Sequence, residues 1–565
     1  MSEKTKPGLF AREATGLVRE VGFMLGMIII ICHTVGLGWQ ARAFQYTGPK
    51  PVPTDMLPLG LPAIFWAFLV CGIIVLITGY TAGYVTAAMP RSGGGYVTIS
   101  RVIHPAVGYN AGWLMFLAEA FSYGLISVAV IWAIGIFLNI ALAPTVVSYD
   151  ATVMFLGGVV IVIIFTALAL FGVRLYGWLM WGMFLVPAVI TIAFFAMWIA
   201  GIMDPSLVAK GVEDVMGAPP STFVNLALST EGGDMAGNIS TFSSAFSYAL
   251  AGAFWAYMGW YSVTFVAGEV KEANKKLPKV VLFAGLIIVL VYLSASSLSA
   301  LSAMGVAETT VGGHKWSFFQ AYSWLSYGDV PEGAIEAAGI TNFQSAWSTG
   351  IASMVARGMG MSWLSLLIAI AGIIWLANDI PPFLLVASRT MFAMSFDRMM
   401  PEKLAEVSER WHAPTYSLIV TGIFGIVGCV AESGVQGLGP YFAFASMVGT
   451  NIYDAIFLTL FCLSAMLLPL ERKEIHDRAA VRHSTGTVVI LGFVATVLSA
   501  YCLLTFLGFF TDWLFPWPKD LAGWSSAIGF YGFIGIGLLM YIYYMYRNAT
   551  KGIDMHTLYL SIPPE

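Results

Sequence analysis

Four polar or ionisable residues interrupt long apolar stretches of this sequence. His33 follows the run MIIIIC, Glu119 lies within GWLMFLAEAFSYGLI, and Asn378 and Asp379 follow AIAGIIWLA. Ionisable groups inside such stretches are costly to bury, and they commonly bind protons, ions or polar ligands. These residues are therefore candidates for carrying a proton, binding a cation such as sodium, or lining a polar cavity.

Each of these residues also has a structural interpretation. Asp379 precedes Pro381-Pro382, and its carboxylate could bond to backbone groups that the prolines leave without partners. Glu119 could be a structural carboxyl bonded to a neighbouring helix. His33 can titrate near neutral pH, but a lone histidine on an apolar helix is more often a hydrogen-bonded structural residue. The sequence leaves both interpretations open at each position.

Two apolar segments carry residues that break a helix near its middle. The segment from Val21, VGFMLGMIIIICHTVGLGWQARAFQ, contains Gly36-Leu37-Gly38, and a later one contains FWAYMGW with Gly259. In lipid, unpaired backbone groups are tolerated only where they line a cavity in the protein. Interrupted segments in corresponding parts of two halves indicate the binding site of a secondary transporter. Glycines that only let helices pack closely are the alternative.

The two breaks differ in polarity. A half-helix that starts after the 36–38 turn presents free N–H groups and a positive dipole end, which suit a carboxylate. Carbonyls freed in the later segment suit an ammonium group, and Gly259 allows the pivot. The pair predicts a site for a zwitterion. The predicted substrate-binding residues are Thr34, Gly36, Leu37, Gly38, Phe254, Trp255, Tyr257 and Gly259.

The composition is that of an integral membrane protein. The 565 residues are 58% hydrophobic and only 10% charged, whereas soluble domains carry roughly 25% charged residues. The lipid bilayer is therefore a partner, and the net charge of −4 excludes a nucleic-acid partner. The five cysteines lie inside apolar runs without metal-ligand spacing. We predict no metal site and no cofactor.

At about 20 residues per membrane helix, the sequence predicts an all-α protein with twelve spans, numbered here in chain order. Their limits are 21–43, 61–89, 106–141, 152–172, 177–200, 243–268, 279–304, 360–388, 415–433, 440–468, 485–510 and 525–547. Lysines and arginines concentrate in both tails and in the loops after even-numbered spans. The exceptions are Arg42, Lys50, Lys210, Lys315, Arg357 and Lys519. The positive-inside rule therefore predicts a multi-pass cell-membrane protein with both termini in the cytoplasm.

Four segments resemble the amino acid–polyamine–organocation (APC) family of permeases. Val35-Gly36-Leu37-Gly38-Trp39 is similar to that family's turn in span 1. The other three are AAMPRSGGGYVTISRVIHPAVGYNAGW (87–113), FWAYMGWYSVTFVAGEVKEANKKLPKV (254–280) and SRTMFAMSFDRMMPEKLAEV (388–407). Their order and spacing match over roughly residues 20–470.

The resemblance implies the leucine-transporter type of fold, with two inverted five-helix repeats, discontinuous spans 1 and 6, and two further C-terminal helices. The implied regions are a tail (1–20), the first repeat (21–200), an extracellular loop (201–242), the second repeat (243–468), spans 11 and 12 (469–547) and a second tail (548–565). In this family span 8 faces span 1, which makes Asp379 a candidate ligand of a coupling cation. Glu269 and Arg91 are expected to close the inner side through salt bridges.

Some residues depart from the family pattern. Certain proton-coupled members carry a lysine in span 5, and this span has none. Leu37 replaces the usual hydroxyl residue of the span-1 turn. The resemblance therefore leaves open whether a proton or sodium is the coupling ion.

The predicted function is secondary transport of an amino acid or related amine by alternating access. The alternative is an amino-acid sensor on the same fold that binds its ligand and scarcely transports it. No HExxH, GxSxG or Walker spacing occurs, so an enzyme is not predicted.

Overall fold

The structure is a computed structural model that describes residues 8–144, 147, 149–507 and 520–564. Within these residues, eleven helical segments are long and apolar enough to cross a bilayer. They are spans 1 (Phe23–Gln45), 2 (Ala63–Ala88), 3 (Pro105–Ala141), 4 (Ala151–Ala169), 5 (Arg174–Met203), 7 (Ala273–Met304), 8 (Ser362–Phe396), 9 (Thr415–Ser433), 10 (Gly439–Glu471), 11 (Thr485–Phe506) and 12 (Leu521–Thr550). The protein is thus the all-α membrane protein that the sequence predicts. The predicted end of span 11, 508–510, lies outside the described residues.

Span 6 is discontinuous. Its helix covers Phe242–Ala256, and two short 3₁₀ turns, Ser262–Phe265 and Ala267–Glu269, follow. Fifteen helical residues reach about 22 Å at ~1.5 Å per residue, too short for a bilayer core of roughly 30 Å. The predicted segment 243–268 is therefore present, but it is no continuous helix.

Spans 1 and 8 are also interrupted. Span 1 divides into Phe23–Thr34 and Leu37–Gln45, with Val35 and Gly36 outside helical geometry. Span 8 divides into Ser362–Ala377 and Ile380–Phe396, an interruption that the predicted segment 360–388 does not include. The cause is Pro381-Pro382, because two prolines without N–H groups leave carbonyls of the preceding turn without donors.

Shorter elements cover both ends of the spans. On the side predicted to be outer are the helices Pro205–Met216, Pro220–Leu228, Phe318–Tyr327, Ala334–Ala337 and Ser348–Gly358, and an antiparallel hairpin of β1 (Thr309–Val311) and β2 (His314–Trp316). On the opposite side are the helices Gly95–Val102, Lys473–Arg478 and Met555–Leu560. Further 3₁₀ turns are Thr54–Met56, Pro58–Gly60, Glu402–Ala405, Val435–Gly437 and Gly439–Ala445.

Span 3 is the central helix of the fold. It packs against spans 4, 8, 9, 10 and 12, and most of its side chains are buried. Spans 4, 5, 11 and 12 instead expose large apolar side chains, as lipid-facing helices do. Glu119 therefore lies in the protein interior, at the level where span 1 is broken.

Candidate functional site

The breaks of spans 1 and 6 lie directly against each other. A Cβ atom on Gly38 would lie 2.6 Å from the Cβ of Ala256, and one on Gly259 would lie 2.6 Å from the His33 ring. Gly259 also has a φ of 94°, which disfavours any residue with a side chain. Both glycines are thus required for the two backbones to approach.

Tyr292 of span 7 connects the two breaks. Its hydroxyl is hydrogen-bonded to the carbonyl of Thr34 and, at 2.5 Å, to the carbonyl of Ala256. A tyrosine hydroxyl has one hydrogen to donate, so it serves two freed carbonyls with one donor. Tyr292 was not predicted as a site residue, because nothing in the sequence distinguishes it from the other tyrosines among the 24 in the chain.

A narrow cavity lies between the breaks. Its lining residues are His33, Thr34, Leu37, Gly38, Trp255, Ala256, Met258, Asp379 and Phe383. The volume is about 10 Å³, close to what a single water molecule needs. A ligand larger than a water molecule would fit here only if the two breaks moved apart.

Asp379 lies over the span-1 turn. A Cβ atom on Gly36 would be 2.7 Å from its Oδ2 atom. The side chain is buried, and its Oδ1 atom has no hydrogen-bond partner among the described residues. No hydrogen bond joins the Asp379 carboxylate to the backbone next to Pro381-Pro382 among the described residues, so the structural interpretation of Asp379 is not supported. Asn378 donates from Nδ2 to the carbonyl of Met183 in span 5 and lies outside the cavity lining.

A set of buried polar side chains lies next to the cavity, and His33 belongs both to this set and to the cavity lining. The Nε2 atom of His33 lies 3.2 Å from Oε2 of Glu119, in an orientation that leaves both atoms without a hydrogen bond. Nearby, the hydroxyl of Tyr261 donates to Oδ1 of Asp454 at 2.5 Å. All four side chains are buried, and they come from spans 1, 3, 6 and 10. We call these four residues the polar cluster.

Four of the residues predicted to bind substrate lie outside the cavity lining: Gly36, Phe254, Tyr257 and Gly259. The Phe254 ring packs against Trp260 and Phe506, at centroid distances of 5.4 and 5.1 Å. The Tyr257 hydroxyl donates to the carbonyl of Phe68 in span 2 at 3.0 Å. The lining residues Ala256, Met258 and Phe383 were not predicted from the sequence.

Charged side chains lie on both sides of the cavity. Toward the predicted outer side, the Arg42 guanidinium lies 4.2 Å from the Trp255 ring centroid. Toward the inner side, Arg389 donates to both oxygens of Glu269, at 2.8 and 3.1 Å. Arg91, the other residue expected to form a salt bridge on this side, donates from Nε to the carbonyl of Pro563 at 2.5 Å. Arginine in span 8 is the closer partner because span 8 packs against the exit of span 6.

A second ion pair lies at the same inner end. Arg101 binds Asp397 through two hydrogen bonds of 2.5 and 2.7 Å, and Tyr96 donates to the same carboxylate at 2.7 Å. Bidentate arginine–carboxylate pairs are the strongest common ion pairs in proteins. We call these two pairs, Glu269–Arg389 and Arg101–Asp397, the inner ion pairs.

Comparison with known proteins agrees with this architecture. The sequence profile described as amino acid permease matches residues 58–552. The branched-chain amino acid permease BcaP of Bacillus subtilis (strain 168) is 22% identical over 544 residues, 94% of each chain. The serine/threonine exchanger SteT of the same organism is 23% identical over 287 residues, 50% of this chain and 54% of SteT.

The profile match covers most of the chain and confirms the resemblance seen in the four sequence segments. The chain's all-helical, membrane-spanning architecture is the one expected of such transport proteins. This protein belongs to the amino acid permease family.

Proposed function

We propose that this protein is a secondary transporter that moves an amino acid or a related amine by alternating access, with the substrate bound between the breaks of spans 1 and 6. The observation that carries the proposal is the cavity between the two breaks, with Asp379 facing the span-1 turn. The relatives support a small substrate, since one is named for branched-chain amino acids and the other for serine and threonine.

An ammonium group would satisfy the carbonyls of the two breaks better than the Tyr292 hydroxyl does. The carbonyls of Thr34 and Ala256 share the single donor of Tyr292, whereas an ammonium group brings three donors. An incoming ammonium group would therefore satisfy both carbonyls and still have one N–H for a further acceptor. Asp379 lines the same cavity and has an unpartnered oxygen.

A substrate carboxylate would bind at the N-terminus of the helix Leu37–Gln45, where the backbone N–H groups are free. Asp379 lies at this end, over Gly36, and two carboxylates repel each other there. The negative charge of Asp379 must therefore be balanced, by a cationic part of the substrate or by a bound ion.

Alternating access requires that both ends of the path open in turn. In the present conformation the inner ion pairs close one end and Arg42 with Trp255 closes the other. We propose that the repeats 21–200 and 243–468 rock against each other, which would separate Glu269 from Arg389 when the inner side opens.

The orientation of the chain is a separate part of the proposal. Both termini lie in the cytoplasm, and the accessibility of a cysteine introduced at Thr550 to membrane-impermeant reagents tests that orientation.

Uptake of a panel of radiolabelled amino acids and amines into proteoliposomes tests the proposal. Exchange of external label for internal unlabelled substrate should identify the substrate without any ion gradient. Gly38→Val should abolish this exchange, because a Cβ atom there would already lie 2.6 Å from Ala256. Gly535→Val is the matched control, since Gly535 in span 12 has open space around it.

The result also separates transport from sensing. A sensor would bind one member of the panel in an equilibrium assay and show no exchange in the same liposomes. Normal exchange by Gly38→Val would rule out the span-1 turn as part of the binding site.

A further inference from the structure

The polar cluster contains more acidic than basic groups. Glu119 of span 3 faces His33 of span 1 and Asp454 and Tyr261 of spans 10 and 6. Asp379 of span 8 is also close enough to interact with it. Among the described residues, the site thus holds three carboxyl groups, one imidazole and the phenol of Tyr261.

The buried arginines do not neutralise this charge. Arg42 stacks on Trp255, Arg389 binds Glu269 and Arg101 binds Asp397. If all three carboxyls of the site were ionised, at least two negative charges would stay uncompensated even with a protonated histidine. A buried uncompensated charge costs several kcal/mol. The site must therefore take up protons or another cation.

Four side-chain atoms of the polar cluster are unsatisfied, unlike those of most buried polar groups. Glu119 Oε2, His33 Nδ1 and Nε2, and Asp454 Oδ2 have no hydrogen-bond partner among the described residues. Buried polar groups that only stabilise a fold are nearly always hydrogen-bonded. The 3.2 Å contact of Glu119 with His33 is short enough for a hydrogen bond once the donor proton points along it.

From this we infer, provided the proposed transport function is right, that the coupling ion is a proton and that Glu119 carries it, next to His33 and Asp454. A proton from the outer solution binds the Glu119 carboxylate and forms one O–H bond. The same bond breaks when the proton leaves to the cytoplasm. Water is the donor and the acceptor: an O–H bond of hydronium breaks when Glu119 is protonated, and one forms when Glu119 releases the proton, so one proton enters with each substrate.

The position of His33 connects this proton to the substrate. His33 immediately precedes Thr34, whose carbonyl faces Tyr292. Its ring lies against Gly259 at the pivot of span 6 and 4.3 Å from the ring of Phe383 in the cavity wall. A change of charge on Glu119 alters its attraction for His33, and hence the position of span 1 relative to the central span 3.

Three measurements on proteoliposomes test the inference, with the substrate found by exchange. First, wild-type protein should accumulate substrate when the outside is acidic, in the absence of sodium, and a pH dye trapped inside should report proton entry with substrate. Second, Glu119→Gln should lose accumulation and proton entry and keep exchange, because glutamine fills the same space and cannot release a proton. Third, Asp454→Asn should weaken accumulation and keep exchange.

Glu213→Gln is the control, because Glu213 is an exposed acid on the outer helix Pro205–Met216. Accumulation driven by sodium alone, with no proton entry in the wild type, would overturn the inference. So would accumulation by Glu119→Gln that equals the wild type. If Glu119→Gln does not fold, the dye measurement still decides the coupling ion, and Asp454→Asn decides whether the polar cluster carries it. Absence of exchange by the wild type would instead refute the transport function.

Discussion

The inner ion pairs and the central cavity both bury charged side chains, but they differ in how those charges are satisfied. Glu269, Arg389, Asp397 and Arg101 are at most 5% exposed, and so is Asp379. The inner carboxylates accept two or three hydrogen bonds each from arginine or tyrosine. Asp379 keeps an oxygen with no partner among the described residues.

This difference separates two uses of buried charge. A buried pair with complete hydrogen bonding holds two elements in one relative position, and breaking it is costly. An unsatisfied buried carboxyl instead lowers stability and leaves binding capacity for a ligand. Burial alone does not distinguish these roles. Hydrogen-bond satisfaction distinguishes them, and on this basis we expect the inner ion pairs to stabilise the conformation and Asp379 to bind a ligand.

The largest effect on stability is expected at the inner ion pairs. Arg389→Gln leaves the buried Glu269 carboxylate without its bidentate partner, and removal of one member of such a pair costs about 3–5 kcal/mol. Thermal unfolding in detergent should show a clear drop in Tm. The double variant Glu269→Gln with Arg389→Gln should recover part of the loss, because no buried charge is then left alone.

Lys279→Gln provides the control, since Lys279 is an exposed basic residue at the start of span 7. A Tm for Arg389→Gln that matches this control would show that the Glu269–Arg389 pair does not stabilise the conformation.

The opposite result is expected at Asp379. Asp379→Asn removes a buried charge that has an unpartnered oxygen, so the Tm should stay the same or rise. Binding of a cationic amino acid or amine should weaken by about 1.5–3 kcal/mol, the usual contribution of a hydrogen bond to a charged group. Equilibrium binding and uptake, with and without sodium, measure this effect. A fall in Tm with unchanged affinity would make Asp379 a structural residue.

A smaller effect is expected at the contact between the two breaks. Tyr292→Phe leaves the Ala256 carbonyl without the tyrosine donor, while the Thr34 carbonyl keeps the hydrogen bond from the Gly36 N–H at 3.1 Å. A buried acceptor without a partner costs about 1–3 kcal/mol. Hydrogen exchange at residues 35–38 and 257–261 should become faster. Tyr531→Phe, at an exposed tyrosine of span 12, should leave these rates unchanged, and equal rates in both variants would contradict a connecting role for Tyr292.

The sequence predicted the fold where a local signal exists. Gly36, Gly38 and Gly259 marked the two breaks because only glycine permits those close backbone contacts. Pro381-Pro382 contained the signal for the interruption of span 8, although the predicted span did not use it.

Contacts between side chains far apart in the chain could not be predicted from the sequence. Glu269 and Arg389 are 120 positions apart, and nothing in either segment favours Arg389 over Arg91 as the partner. Tyr292 likewise reaches back 258 positions to Thr34. Such contacts depend on how whole helices pack, and a single sequence carries no record of that arrangement.

The smallest effect is expected at an exposed and fully bonded carboxylate, which completes the comparison. Asp55 accepts a hydrogen bond from the Lys315 backbone N–H at 2.7 Å and contacts Nδ1 of His314 at 3.1 Å. The backbone hydrogen bond from Lys315 lowers the pKa of Asp55.

A carboxyl whose pKa is lowered on folding stabilises the fold above its unfolded pKa, and this contribution is lost as the pH falls through the folded pKa. Because solvent screens an exposed pair, the contribution should stay below about 1 kcal/mol. Hydrogen-exchange protection factors in the hairpin 309–316, corrected for the intrinsic exchange rate at each pH, should therefore be larger at neutral pH than in acid, and Asp55→Asn should remove most of that difference. Glu308→Gln, an exposed acid beside the same hairpin, should preserve it, and an equal loss in both variants would mean that general surface charge, rather than the Asp55 contact, sets the pH dependence.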